Sequence, residues 1–197
     1  MNNTLCIGID PSFKNLAVSA CYLDKAGKLV LLVDSLEDKL PAKKDFINLF
    51  HLSLRKAESA YRIITGWIAE SGAPSENILV FQEIPPPIGD FAAGLWMLGA
   101  LLTERVKMIS RLSFIYPHMI GSLLGAMKHT KAESKIAAKA IMTMNKIAIP
   151  PKLDDDRAEA FILMVYLSNN YGEIKFRLPE YLPAKKWERE RNLEYYA

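Results

Sequence analysis

The run Leu5-Cys6-Ile7-Gly8-Ile9-Asp10-Pro11 decides how the rest of the chain is read. It is short, apolar and closed by an acid and a Pro-Ser turn, the pattern of a central strand buried on both faces. Working outward, Asn15 to Leu23 alternates with small and β-branched residues, Lys25-Ala26-Gly27-Lys28 supplies a turn, and Lys28 to Ser35 is a further β-rich run. These three segments form an antiparallel meander. From Pro41 the period changes. Phe46, Leu49, Phe50, Leu54, Ala57, Tyr61, Ile64 and Ile68 recur at helical spacing until Ser71-Gly72 ends the run. Asn77 to Glu83 then repeats the opening pattern, an apolar run ending on a carboxylate. A helical crossover between two such strands implies a parallel pair.

The second half alternates in the same way. After the loop Pro85-Pro86-Pro87-Ile88-Gly89, Asp90 is placed to cap an apolar helix that runs to about Ser110. Ser113 to Tyr116 is short enough for an edge strand, and a small helix from Met119 to Leu124 follows. Two longer helices are expected at Ala132 to Asn145 and at Asp155 to Asn169, the second after Pro150-Pro151.

Composition sets the class. Half of the 197 residues are apolar and 24% are charged, with no low-complexity tract, so the fold comes from a core rather than from staples or repeats. The apolar stretch from Phe91 to Leu102 is too short to span a bilayer and no signal-peptide pattern opens the chain, so a cytoplasmic, DNA-associated protein is expected. Cys6 and Cys21 lie in strand-like segments as small hydrophobes, and two cysteines cannot make a structural zinc site alone. The net charge of +3 is modest, but Lys128, Lys131, Lys135, Lys139 and Lys146 stand against Glu133 alone in one segment.

The chemistry lies in the carboxylates. Asp10 and Glu83 end adjacent central strands, where open α/β sheets place their ligand sites. Asp154, Asp155 and Asp156 open the last helix, and Asp156 and Glu159, three apart, share one face of it. Asp155 and Glu159 are one turn apart, which keeps Asp155 as a substitute for Asp156. Read singly, Asp10 is a turn residue, Glu83 a loop acid and the aspartates favourable partners of a helix dipole. Read together, they are a cage of oxygen ligands for a hard divalent ion, the kind that generates hydroxide and relieves leaving-group charge in phosphodiester hydrolysis. The apolar stretch Ala160 to Leu167 that follows packs that helix on the sheet.

These residues carry a resemblance. Gly8-Ile9-Asp10-Pro11 resembles the opening of the RuvC Holliday junction resolvases, and Phe81-Gln82-Glu83 resembles their strand ending in glutamate. Asp156-Arg157-Ala158-Glu159-Ala160 is similar to the family's final helix motif of an acid or histidine, two residues, a second acid and alanine. The element order βββαβαβα with extra helices is that of the RNase H-like fold, a mixed five-stranded sheet with three antiparallel strands, then parallel strands, flanked by helices. The likeness runs from about residue 4 to 170, which implies one nuclease domain over 1–170 and leaves 171–197 as a C-terminal extension. It implies a homodimeric endonuclease dependent on Mg²⁺, with Mn²⁺ as the alternative, that nicks two opposed strands of a four-way DNA junction. Asp10, Glu83, Asp156 and Glu159 would be its catalytic, metal-binding residues. The chain departs from the family at Ser12 and Ala17, where glycine is usual, and at Glu159, where aspartate is usual.

DNA would be held by lysines. Lys131, Lys135 and Lys139 fall at four-residue steps on one helix face, with Ile136, Ala137, Ala140, Ile141 and Met144 on the other. Lys131 aligns with a lysine that the family uses against DNA; a second family lysine would fall near the apolar Ile120, for which Lys128 is the candidate to compensate. Lys14 is either a contact to the scissile-strand phosphate or an ordinary turn lysine. Ile88 and Phe91 offer a wedge at a junction centre or, equally, a rigid cap for the next helix. That helix is apolar nearly all round, so one side of it suits a dimer partner. No motif speaks to a branch-migration helicase. Three other readings stand beside the resolvase: a flap or branched-DNA nuclease of phage type, an RNA:DNA hybrid hydrolase, and a non-catalytic junction-binding protein. An actin-like ATPase is excluded by length and by the lack of a glycine-rich phosphate loop.

Overall fold

The computed structural model describes residues 3–41, 45–84, 92–115 and 131–179. Five strands, β1 (Leu5–Asp10), β2 (Asn15–Leu23), β3 (Leu29–Glu37), β4 (Ile78–Glu83) and β5 (Arg111–Ile115), make one sheet in the order β3-β2-β1-β4-β5. β1, β2 and β3 pair antiparallel, while β4 joins β1, and β5 joins β4, in parallel. This is the mixed sheet expected, with β5 beginning two residues earlier than Ser113. Among the described residues four α-helices flank it: α1 (Phe46–Ser71), α2 (Ala92–Val106), α3 (Lys131–Met144) and α4 (Asp155–Tyr171). Among the described residues no helix is long and apolar enough to cross a membrane.

β1 is buried along its whole length, so its sequence hides an alternation that the packing reveals. Side chains of a strand point alternately to opposite faces. Leu5, Ile7 and Ile9 join a core with Leu52, Ala57, Ala60 and Ile64 of α1 and Leu98 and Leu102 of α2. Cys6 turns to the other face, into a second core with Ala137, Ile141 and Met142 of α3 and Phe161, Leu163 and Met164 of α4. Gly8 and Asp10 share that second face by the same period. β4 divides likewise: Ile78 and Val80 join the first core and Phe81 the second, which assigns Gln82 to the α2 side and Glu83 to the α4 side. Gln82 Nε2 donates to the Gly99 carbonyl of α2 at 3.1 Å, in keeping with this division.

Gly8 sets how closely α4 lies on the sheet. A Cβ at this position would stand 2.1 Å from the Ala160 carbonyl oxygen and 2.6 Å from the Met164 nitrogen, both backbone atoms of α4. No side-chain rotation relieves such a contact, so the helix lies this close only because residue 8 is glycine.

α1 departs from the expected face. Asp45 caps it by accepting from the Asn48 N–H, and Gly72 ends it in the left-handed conformation. Its buried set is Leu49, Leu52, Ser53, Lys56, Ala57, Ala60 and Ile64. Phe46 and Phe50, expected inside, are exposed and stack on each other with ring centroids 6.4 Å apart. The helix is turned toward α2, where the Ser53 hydroxyl donates to the Gly94 carbonyl at 3.1 Å. α2 itself ends at Val106, short of Ser110, and though apolar nearly all round it is not buried all round: Ala93, Trp96, Ala100 and Glu104 are exposed. Past α4 the chain continues to pack. Phe176 enters the second core, and Asn169 exchanges hydrogen bonds with its backbone at 2.7 and 3.0 Å. The loop with Ile88, Asp90 and Phe91, the expected small helix at 119–124, Lys128 and residues 180–197 lie outside the described residues.

The substitution Gly8→Ala forces α4 away from β1 and is expected to cost about 1–3 kcal/mol or more, as overpacking does. Urea unfolding of the variant against wild type checks this, and an unchanged midpoint would contradict the contact.

Candidate metal centre

Three elements converge at one end of the sheet. β1 delivers Asp10 at its C-terminal end, and the parallel register pairs Ile9 with Gln82, so the next residues, Asp10 and Glu83, stand at the same level on neighbouring strands. α4, held on β1 at Gly8, brings its first turn over the same end. One carboxylate oxygen each from Asp10, Asp156 and Glu159 lie within 4.8 Å of one another. Asp10 and Glu159 are buried, at 4% and 5% exposure, and Asp156 is half-buried. Glu83 is buried beside them at 7% exposure but is not part of the group of three.

The first turn of α4 also separates the three consecutive aspartates by role. Asp154 is the N-cap and accepts from the Arg157 N–H at 2.9 Å. Its second oxygen accepts from Asn15 Nδ2 at 2.8 Å and from Arg157 Nη1 at 2.6 Å. A carboxylate so engaged anchors the helix start to β2 rather than facing a ligand. Asp155 lines an open cleft of about 730 Å³, as does Asp156, which alone of the two reaches the Asp10 and Glu159 group. The structure therefore brings together Asp10, Asp156 and Glu159, sets Glu83 next to them, and leaves Asp155 at the cleft wall.

Several supporting residues carry no sequence signal of their own. Ser134, fully buried on α3, donates its hydroxyl to Glu159 Oε1 at 2.9 Å. Placed in an alanine-rich helix, it reads from sequence as a small core residue. Lys56 of α1 is also buried, its ammonium donating to the Leu36 carbonyl. Burial pushes the Lys56 ammonium down to about 8, against the opposing pull of Asp38 and Asp156. Arg157 ties the helix start to the preceding loop through the Lys152 carbonyl at 3.1 Å.

The donor set fits a hard divalent cation. All three groups are carboxylates, and ions of this kind take oxygen ligands at 2.0–2.6 Å, so opposite ligands stand about 4–5 Å apart. Three acids within 4.8 Å of one another, two of them buried, repel unless a cation or protons neutralise them. The cleft that leads to Asp156 is acidic as well, with Glu37, Asp38, Asp154, Asp155 and Asp156 against Lys14, Lys39 and Lys152.

Of the expected DNA contacts, Lys14 lines this cleft, Lys139 is exposed on α3 and Lys135 is half-buried there. Lys131 opens α3, its side chain lying outside the described set. The opposite side of α3 is buried through Ser134, Ala137, Ala138, Ile141 and Met142, while Ile136 and Met144 are only half-buried.

No protein-family model matches the chain, and no curated protein matches its sequence. Solved structures are. The RuvC structure from Thermus thermophilus superimposes over 88% of this chain and 100% of its own, with a TM-score of 0.53 and 14% identity. Thermus thermophilus RuvC in complex with a Holliday junction substrate superimposes over 88% and 99%, with a TM-score of 0.52 and 10% identity. At such identities the likeness is one of fold, and the fold is RNase H-like as the element order implied.

Because Ser134 orients Glu159 through a buried hydrogen bond, Ser134→Ala should weaken divalent-metal binding by about 10–100-fold, the usual scale for a residue behind a ligand. Calorimetric titration with Mn²⁺ measures it, and equal affinity in variant and wild type would remove Ser134 from the site.

Proposed function

We propose that this protein is a metal-dependent endodeoxyribonuclease that resolves four-way DNA junctions by paired symmetric nicks. The observation that carries the reading is the convergence of Asp10, Asp156 and Glu159 within 4.8 Å at the strand ends. Asp10, Asp156 and Glu159 would hold one ion, and Glu83, level with Asp10, would help to hold a second. Mg²⁺ suits this all-oxygen set, with Mn²⁺ as the alternative. When bound, such ions lower the pKa of a coordinated water and neutralise charge on the leaving oxygen.

The reaction is hydrolysis of a phosphodiester. A water oxygen bonds to phosphorus, the bond from phosphorus to one sugar oxygen breaks, and the water proton passes to solvent while the sugar oxygen gains one. The chain's own residues supply placement. Ser134 holds Glu159, and the Asp154 cap with Asn15 and Arg157 holds the helix turn that carries Asp156. Lys14, which lines the cleft, would face the incoming phosphate. The burial of Asp10 and Glu159 keeps bulk water away from the ligand oxygens.

The substrate assignment draws on the fold likeness to a RuvC bound to a Holliday junction and on the lysines of α3. A homodimer, with two sites related by a two-fold axis, would match the symmetry of a four-way junction. The exposed Trp96 side of α2 is a face on which a second copy would sit.

Incubation of wild type with a synthetic four-way junction and Mg²⁺ should give paired symmetric nicks that EDTA abolishes. Asp10→Asn should reduce the rate on the order of 100-fold or more, the scale of losing one electrostatic element of a site. Preferential cutting of a flap or an RNA:DNA hybrid would overturn the substrate, and junction binding without any metal-dependent cut would overturn the activity.

A further inference from the structure

The lysine stripe of α3 does not stand alone. Lys135 and Lys139 form one wall of a groove of about 390 Å³ whose other wall is the loop from Ile149 to Asp154. Lys152 on that loop lines this groove and also the 730 Å³ cleft that opens onto Asp156. The two depressions therefore meet at two shared residues, Lys152 and Asp154. Their charges differ. The cleft holds five acids against three lysines, whereas the groove holds three lysines against Asp154, which Asn15 and Arg157 already engage. Among the described residues neither Lys135 nor Lys139 forms an ion pair. Ile149, 43% exposed, with Pro150 and Pro151 gives the groove an apolar side. Basic groups tracking a backbone beside small apolar wedges are what a nucleic-acid strand takes.

Lys152 is paired with Glu37 of β3 across the cleft, and the two side chains are 66% and 51% exposed. An exposed pair of this kind is held weakly and a phosphate competes for the lysine. We propose that Lys152 is the hinge of a strand track. It exchanges Glu37 for a backbone phosphate and carries the strand from the groove of Lys135 and Lys139 into the cleft of Asp156. The inference rests on the nuclease reading above and adds to it a residue and a path. The track contacts phosphate and sugar, so it positions the strand without reading its sequence.

The test uses the full chain carrying Asp10→Asn, with a fluorescein-labelled four-way junction in Mg²⁺, and follows anisotropy from about 50 to 300 mM KCl. Adding Lys152→Ala should weaken binding several-fold and flatten the log–log salt dependence by roughly 0.7–0.9, one phosphate contact. Lys152→Arg should restore both, and Glu37→Gln should tighten binding by freeing the lysine. A Lys152→Ala protein with the parent's affinity and slope would overturn the track while leaving the nuclease reading intact. So would a Glu37→Gln protein weakened as much as Lys152→Ala, since the pair would then be a structural tie. A parent protein that binds no junction, flap or hybrid at all would overturn both.

Discussion

The close approach of α4 to β1 at Gly8 is the constraint on which the rest depends. A central strand normally presents a side chain to the helix above it, which holds the two backbones apart. Here the missing Cβ lets the Ala160 carbonyl and the Met164 nitrogen sit where that atom would be. The helix turn carrying Asp156 and Glu159 is thereby lowered onto the strand end carrying Asp10. One residue without a side chain, two positions before the acid, couples core packing to site geometry.

Bringing carboxylates together at the edge of a core is unfavourable by itself, so the surroundings hold them in place. Ser134 reaches Glu159 from α3, and the Asp154 cap ties the start of α4 to Asn15 and Arg157. Lys152 pairs with Glu37 nearby and holds that carboxyl below the usual carboxylate range. A cation would complete the balance in the centre of the site, and a second positive source, the lysines of the adjoining groove, is set apart from it. This separation would suit a polyanion, whose backbone would be attracted along the groove and would meet the acids only where an ion intervenes.

Much of this was legible in the residues. Apolar runs ending on Asp10 and Glu83, with a helical crossover between them, sufficed for the parallel pair and for the level of the two acids. The meander was legible because β2 alternates and Gly27 marks its turn. What escaped had physical causes. α1 is apolar or amphipathic on more than one side, so periodicity favoured Phe46 and Phe50, whereas contact with α2 turned Leu52, Ser53 and Lys56 inward. Three consecutive aspartates look alike until cap geometry engages Asp154. Ser134 and Lys152 are ordinary residues in sequence. Only the meeting of α3 with α4, and of the loop from Ile149 to Asp154 with α3, places them at the site.

The central claim is that the carboxylates gathered by α4 and β1 hold a divalent ion. Crystals grown with Mn²⁺, with anomalous scattering recorded near the manganese edge, address it directly. The account predicts an anomalous peak coordinated by oxygens of Asp10, Asp156 and Glu159. Mn²⁺ bound elsewhere, with these three carboxylates left uncoordinated at millimolar metal, would contradict it.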